Sequence, residues 1–455
     1  MLLAADSIFL DFKLPNATTW FYFSLLLAVG LFFKFSRLLS IRNLDVIGLF
    51  LLVPGLLLVQ EAHTPPGSSR PSPAVIDVRL LWFGYLWLMA GSAYFFLRCL
   101  VDLALVRRPS LAPNMNFSGL AWMGMALLIS LVSVAIRHQE GAPETVGKGT
   151  APLQQAKEKL EALVDQQQKA IAARGVEFDA RFWVGCVLAL LCHFAIALGL
   201  VVIGRQHFQD AHAGMAAATF YLLLPYTAYH VSQIHHVWPS ALLIWVVVFF
   251  RAPVLAGFLL GLASATAFFP ALLYPVWLSF YWRRGARRFS IAFLIAAAAT
   301  LLITGTVLWV QSQLLESVQG VMALSDWQPW KKPTTEGFWL GIHGAGVHWG
   351  YRIPVFIGYL AFVVTTLFWP SPKNLGHVLA LSSAVLIGIQ FWYADQGGVY
   401  VLWYMPLLLL LAFRPNLVER RPLVTSEGNG RSRWRQRLGQ LAPWLHKPEP
   451  LARAH

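Results

Sequence analysis

Residues 253–282 read PVLAGFLLGLASATAFFPALLYPVWLSFYW, a run that is either one long tilted membrane helix or two short ones meeting near Pro270. The flanking charges decide between them. Arg251 precedes the run and Arg283, Arg284, Arg287 and Arg288 follow it, and basic loop residues stay on the cytoplasmic side of a membrane. Both ends of the run therefore belong on one side, which a single crossing does not allow. We read a broken pair, 254–269 and 271–282. Pro270 and Pro275 favour the break, and Gly257, Gly261 and Ala265, spaced by four, let a neighbouring helix come close. A broken helix at membrane depth needs protein or a water-filled cavity around it.

The composition of the whole chain agrees with this membrane reading. Of 455 residues, 57% are hydrophobic and only 12% charged, and the mean hydropathy is +0.58, which excludes most soluble classes. The net charge of +14 would suggest nucleic acid in a soluble protein. Here the basic residues fall between apolar runs, so the expected partner is the membrane surface and not nucleic acid. Cys99, Cys186 and Cys192 all lie in apolar stretches and form neither a disulfide framework nor a metal spacing. The start, MLLAADSIFLDFKLP, has Asp6 and Asp11 in place of a basic segment, so no removable signal peptide is expected.

At about 20 apolar residues per crossing, the chain divides into a ladder of spans. These lie at about 18–35, 43–60, 79–101, 118–136, 182–204, 213–229, 237–250, 254–269, 271–282, 289–311, 353–370, 377–393 and 399–413. With the broken pair in place, alternating sidedness puts Lys34, Arg37, Arg42, Arg107, Arg108, Arg205, Arg251, the RRGARR segment, Lys373 and the tail from Arg414 inside. The expected protein is thus all-α and polytopic, with about 11 to 13 membrane or half-membrane helices. It is expected in the cytoplasmic (inner) membrane with its N-terminus outside and its C-terminus in the cytoplasm. Four regions follow: an N-terminal four-helix region (1–136), an outer loop with an amphipathic helix (137–181), a membrane core with an outer loop at 312–352 (182–413), and a basic tail (414–455).

No P-loop, G-x-S-x-G elbow or H-E-x-x-H is present. The remaining candidates are polar residues at the outer ends of spans. Asp77 starts one span, and Glu177 and Asp179 in GVEFDARFW precede another. Tyr229, His230, Gln233, His235 and His236 fill a short outer turn, and Lys331, Lys332 and Arg352 fall in the 312–352 loop. Adjacent His235 and His236 without an accompanying carboxylate make a weak metal site, so no cofactor is expected and ligand spacing does not support a divalent cation. His193 lies mid-span, where a neutral imidazole bonded to a neighbouring carbonyl is the ordinary reading. His207 and Asp210 read as structural.

The runs YHVSQIHHVWPSALLIW (229–245) and RAPVLAGFLLGLASATAFFPALLYPVWLSFYWRRG (251–285) resemble the middle of bacterial GT-C type polytopic glycosyltransferases, especially the polyprenyl-phosphate-mannose and arabinofuranosyl transferases. The resemblance is best over 229–285 and looser over 182–413. Phe268 and Phe269 stand where many relatives carry a Lys with an aromatic. It implies a GT-C-like fold and inverting transfer of a hexose or pentose, mannose-like, from a polyprenyl-phosphate donor to a glycan, lipid or protein acceptor outside the membrane. The family's catalytic acid falls on Asp179 or Glu177, with Asp77 as a further candidate base. The chemistry agrees, since outside the membrane a sugar arrives on a lipid phosphate, a carboxylate deprotonates the acceptor hydroxyl, and donor groups hold the departing phosphate. Gln233, His235, His236, Lys331, Lys332 and Arg352 are the candidates for that second role. A transporter or lipid flippase suits the broken helix as well, and a non-catalytic membrane subunit is the third class.

Overall fold

A computed structural model describes residues 17–62, 77–104, 111–137, 180–282, 284–314, 329–330, 338–339, 347–393, 400–415 and 417. Each of the thirteen apolar runs carries helix, and no strand occurs among the described residues. In chain order the helices are α1 (Ala17–Phe32), α2 (Ile41–Gly48), α3 (Val53–Ala62), α4 (Val78–Ala104), α5 (Phe117–Arg137), α6 (Ala180–Ile203), α7 (Ala211–Leu223), α8 (Pro225–Tyr229), α9 (Ile234–Val248), α10 (Pro253–Ala267), α11 (Tyr274–Phe280), α12 (Ala286–Leu314), α13 (Arg352–Phe368), α14 (Leu375–Gly388) and α15 (Val401–Phe413). The expected amphipathic helix of the 137–181 loop, most of 312–352 and nearly all of the 414–455 tail lie outside the described residues.

Six stretches among the described residues are long and apolar enough to cross a membrane: Ile41–Ala62, Val78–Ala104, Phe117–Ala135, Trp183–Phe208, Ala286–Thr306 and Trp349–Phe368. The chain is therefore all-α in the form of a polytopic membrane protein. The shorter helices differ from the long ones in burial. Every residue of α15 and all but His377 of α14 are buried, whereas the long helices expose residues such as Trp122, Leu302 and Ile357. A helix that is apolar all round and buried all round sits inside the bundle, and the long helices form its outer wall.

One end of the bundle gathers the basic loops. Arg42 donates to the carbonyls of Phe32 and Ala112, joining α1, α2 and the entry to α5. His212 Nε2 meets Met115 O at 2.8 Å and His207 Nε2 meets Val248 O at 2.8 Å. Gly204 and Gly214 bring α6 and α7 into backbone contact, since a Cβ on either would fall on the other's Cα. Lys373, between α13 and α14, donates to Ser279 Oγ at 2.5 Å and to Pro370 O at 3.0 Å. We call this the basic end.

The 253–282 run begins and finishes there. α10 rises from Pro253, the helix ends at Ala267, and Phe268 turns the chain with φ 57° and ψ −57°. A 3-10 turn, Phe269–Leu273, leads into α11, which returns until Tyr281 OH donates to Phe250 O at 2.6 Å. Pro270 follows the break and does not itself make it. The cost of a non-glycine residue at this φ is met by packing: Gly257 and Gly261 of α10 lie against the Phe289 and Phe293 carbonyls of α12.

Acidic residues also lie within the spanning stretches. Asp45 of α2 and Asp102 of α4 are both inside spanning stretches. Arg98 donates through Nε to Asp45 at 2.9 Å and through Nη1 to Asp102 at 3.3 Å, and Asp102 also accepts from Arg414 just beyond α15. Two arginines and two aspartates thus form a neutral chain across α2, α4 and the end of α15. Burial in low dielectric is tolerable for charges only when they are paired in this way.

Lys373 gives a pH prediction. Burial holds its pKa down, from 10.5 to about 8. Between those values the unfolded chain binds the proton that the folded one has released, so stability rises with pH across that window. The burial cost is full below about pH 8. Denaturation of the wild type compared with Lys373→Met is expected to show the wild type gaining between about pH 8 and about pH 10.5 relative to the variant. Parallel curves would show that Lys373 stays charged.

Candidate functional site

At the opposite end, Leu224 stops α7 and Pro225 opens the five-residue α8, which ends at Tyr229. The chain then turns through 230–233, and Gln233 precedes α9, whose first turn carries His235 and His236. Pro239 lies inside α9 and has no N–H to offer the carbonyl four residues back, which belongs to His235. Trp403 of α15 supplies the missing donor, its Nε1 reaching His235 O at 3.1 Å. A proline in one helix thereby fixes a tryptophan of another beneath the histidine turn.

The three imidazoles of the turn touch. The His230 and His236 rings stack with centroids 4.1 Å apart at 27°, and His235 and His236 lie 4.2 Å apart. His230 and His236 are each only 1% exposed. Gln233 Oε1 meets His230 Nδ1 at 2.7 Å. Beneath the stack, His193 of α6 is fully buried, engages Tyr221 OH through Nδ1 at 2.7 Å and lies against His230.

An aromatic layer continues from the histidines. His236 is 5.6 Å from the Tyr400 ring, and Tyr400 is 4.3 Å from Trp403 and 6.0 Å from Tyr393. Phe269, at the tip of the α10–α11 hairpin, contacts Tyr393 at 4.9 Å and Trp403 at 5.5 Å. Trp238 Nε1 donates to Thr266 Oγ1 at 3.0 Å, tying α9 to the same tip. On the far side Arg352, 1% exposed at the start of α13, donates through Nε to Trp392 O at 2.8 Å.

No family model, curated protein or solved structure matches this chain. The site is therefore read from its own chemistry. Gln233, His235 and His236 come together, and Arg352 joins them through Tyr400, Tyr393 and Trp392. Asp77 has a local role: its Oδ1 accepts from the N–H groups of Arg79 and Leu80 at 2.9 and 3.2 Å, the bonding of a helix N-cap on α4. Glu177, Asp179, Lys331 and Lys332 lie outside the described residues. His207 and Asp210 are structural, Asp210 capping α7 through Ala213 N at 2.9 Å.

Sequence reasoning placed His230 in the outer turn without counting it among the phosphate-binding candidates, and other parts of the site it did not read. His230 belongs to the stack. His193 meets the Tyr221 hydroxyl as well as the His230 backbone, because α6 and α7 pack with Tyr221 opposite it. Tyr393 and Tyr400 lie far along the chain from the histidine turn and join it only through packing, which carries no local pattern. Among the described residues no three His, Cys, Asp or Glu side chains are placed to hold a metal. The imidazoles here meet face to face and do not converge on one point.

The arrangement gathers aromatic rings, imidazoles and one guanidinium into a single largely buried cluster. Aromatic faces suit the C–H faces of a sugar, and imidazole and guanidinium groups suit a phosphate. The hairpin tip packs into the cluster through Phe269.

Proposed function

We propose that this protein is a membrane glycosyltransferase that moves a sugar from a polyprenyl-phosphate donor to an acceptor at the outer face of the cytoplasmic membrane, with a GT-C-like fold. One observation carries the reading: histidines, Arg352 and an aromatic layer gather at the tip of a re-entrant helix pair, at the end of the bundle away from the basic loops. The basic end faces the cytoplasm, so this site faces outward. His230, His235, His236, Gln233 and Arg352 hold the lipid phosphate, joined by Lys331 and Lys332, and Asp179 or Glu177 takes the acceptor proton. Attack comes from the face opposite the phosphate and inverts the anomeric carbon. Membrane lipid carries the polyprenyl tail, and the acceptor is a glycan, lipid or protein.

The re-entrant pair and the buried Asp45 and Asp102 favour a second reading, a transporter or lipid flippase, because broken helices and intramembrane carboxylates mark transport pathways. The pairing of both acids with arginines at the basic end weighs against it.

The deciding experiment offers a panel of radiolabelled polyprenyl-phosphate sugars to membranes with and without the protein. Protein-dependent consumption of one donor is expected. Asp179→Asn should then reduce transfer by about 100-fold or more, the usual contribution of a general base, with the protein still monodisperse in detergent. If folded protein consumes no donor, the transport reading replaces this one.

A further inference from the structure

The charge chain at the basic end borders a cleft. α3 lies close on α4, since a Cβ at either Gly55 or Gly84 would stand 3.1 Å from the other's carbonyl oxygen. On the other side of the turns at 49–52, α2 and α4 are joined by side chains, Tyr94 against Gly48 and Arg98 to Asp45. Between them is a half-open cleft of about 330 Å³, its mouth included. Leu49, Phe95, Leu408, Leu411 and Ala412 give it apolar walls, and Asp45 and Arg98 are its charged part. Leu44, Ile47, Leu97 and Val101, on the outward faces of the same two helices, are exposed, so this wall of the bundle faces lipid.

The depth of Arg98 follows from helix length. α4 has 27 residues, which at a rise of about 1.5 Å each is about 40 Å, the thickness of a bilayer with its headgroups. Arg98 is about 9 Å from the Ala104 end, near the boundary between headgroups and hydrocarbon. Of its five N–H groups, Nε and Nη2 each donate one to Asp45 at 2.9 and 3.3 Å, and Nη1 donates one to Asp102 at 3.3 Å. The other two have no partner among the described residues, while 14% of the side chain stays exposed. Donors at that depth need an acceptor, because hydrocarbon supplies none. A simple anion would also meet the Asp45 carboxylate, which is 11% exposed beside Arg98. A ligand with a phosphate and an ammonium answers both signs.

We propose that the cleft between α2, α4 and α15 binds a phospholipid with a primary ammonium headgroup, its phosphate on Arg98, its ammonium beside Asp45 and the upper part of one acyl chain along Leu49, Phe95 and Leu408. The site lies at the basic end and does not depend on the chemistry proposed at the histidine turn. The lipid takes up the donors that Asp45 and Asp102 leave over, and so fastens α2 to α4 where side chains alone join them.

The test uses the full chain purified in detergent and stripped of lipid. Dioleoyl phosphatidylethanolamine, phosphatidylcholine and phosphatidylglycerol are titrated in separate mixed micelles, and bound lipid is counted by native mass spectrometry. Choline keeps the positive charge and has no N–H to donate, and glycerol has no positive charge. The expected result is one phosphatidylethanolamine held about tenfold more tightly than either of the others, the size of one charge-assisted hydrogen bond. Phosphatidylethanolamine carrying a diazirine high in one acyl chain should label the cleft residues of α2, α4 or α15. Ala412→Leu, which takes up space in the cleft and leaves every charge in place, should weaken phosphatidylethanolamine about tenfold and the other two lipids little. If that variant does not fold, the position of the label on the wild type decides. Equal binding of the three lipids, or label spread over α5 and α12, overturns the site. Tightest binding of phosphatidylglycerol overturns it as well, because Asp45 then takes no part.

Discussion

Asp102→Asn is expected to destabilise the protein by about 3 to 5 kcal/mol, the usual cost of leaving buried charges without their counter-ion. The Asp102 side chain has no exposed surface and accepts from Arg98 on its own helix and from Arg414 beyond α15. Neutralising it leaves two guanidinium groups in a low-dielectric setting with only Asp45 between them. Asp45→Asn should cost less, because Asp45 is 11% exposed and Arg98 keeps Asp102. Chemical denaturation in detergent gives the comparison, and the double variant Asp102→Asn with Arg414→Gln should lose less than the two single losses added together. Equal, additive and small losses would show that the chain of charges is water-screened and not part of the packed structure.

Gly257→Val is the second large effect. The Cβ it adds would fall on the Phe289 carbonyl oxygen of α12, and a Cβ at Gly261 would fall on that of Phe293. The obstacle is backbone, so no rotamer change relieves it, and α12 must move away along two turns. Overpacking of this kind costs about 1 to 3 kcal/mol and more when backbone has to shift. The expected outcome is a loss of monodisperse protein or a denaturation midpoint well below wild type. Gly305→Ala and Gly358→Ala are the controls. Nothing lies within 4 Å of a Cβ at either position, so both should stay near wild type or gain slightly from better helix propensity. If Gly257→Val behaved as those controls do, the hairpin would not be anchored on α12.

The helices were legible because apolar runs and loop charges are local signals that agree with each other. The re-entrant pair shows this best, since Arg251 and the arginines after Trp282 required both ends on one side, and Tyr281 meets Phe250 there. The break itself was placed too late. Pro270 was the visible breaker, whereas the turn is made by Phe268, a positive φ at a residue type that gives no warning of it. The buried charge chain was also illegible, because Asp102 and Arg414 are 312 residues apart and each looks like an ordinary helix-end charge alone. Within the site, the histidine turn was visible as a cluster in sequence. Its stacking, the Trp403 bond to His235 and the use of Asp77 as a cap depend on which helices meet, and that is settled by packing across the bundle.

The position of α15 has a consequence for biosynthesis. It is the last described helix to leave the ribosome, yet all thirteen of its residues are buried. The helices that surround it must already be in the membrane, waiting with their inner faces unfilled. A chain halted before residue 401 would lack one inner helix, with Asp102 still lacking Arg414 and His235 still lacking Trp403. Seating α15 therefore couples polar contacts at both ends of the bundle to the placement of one buried helix.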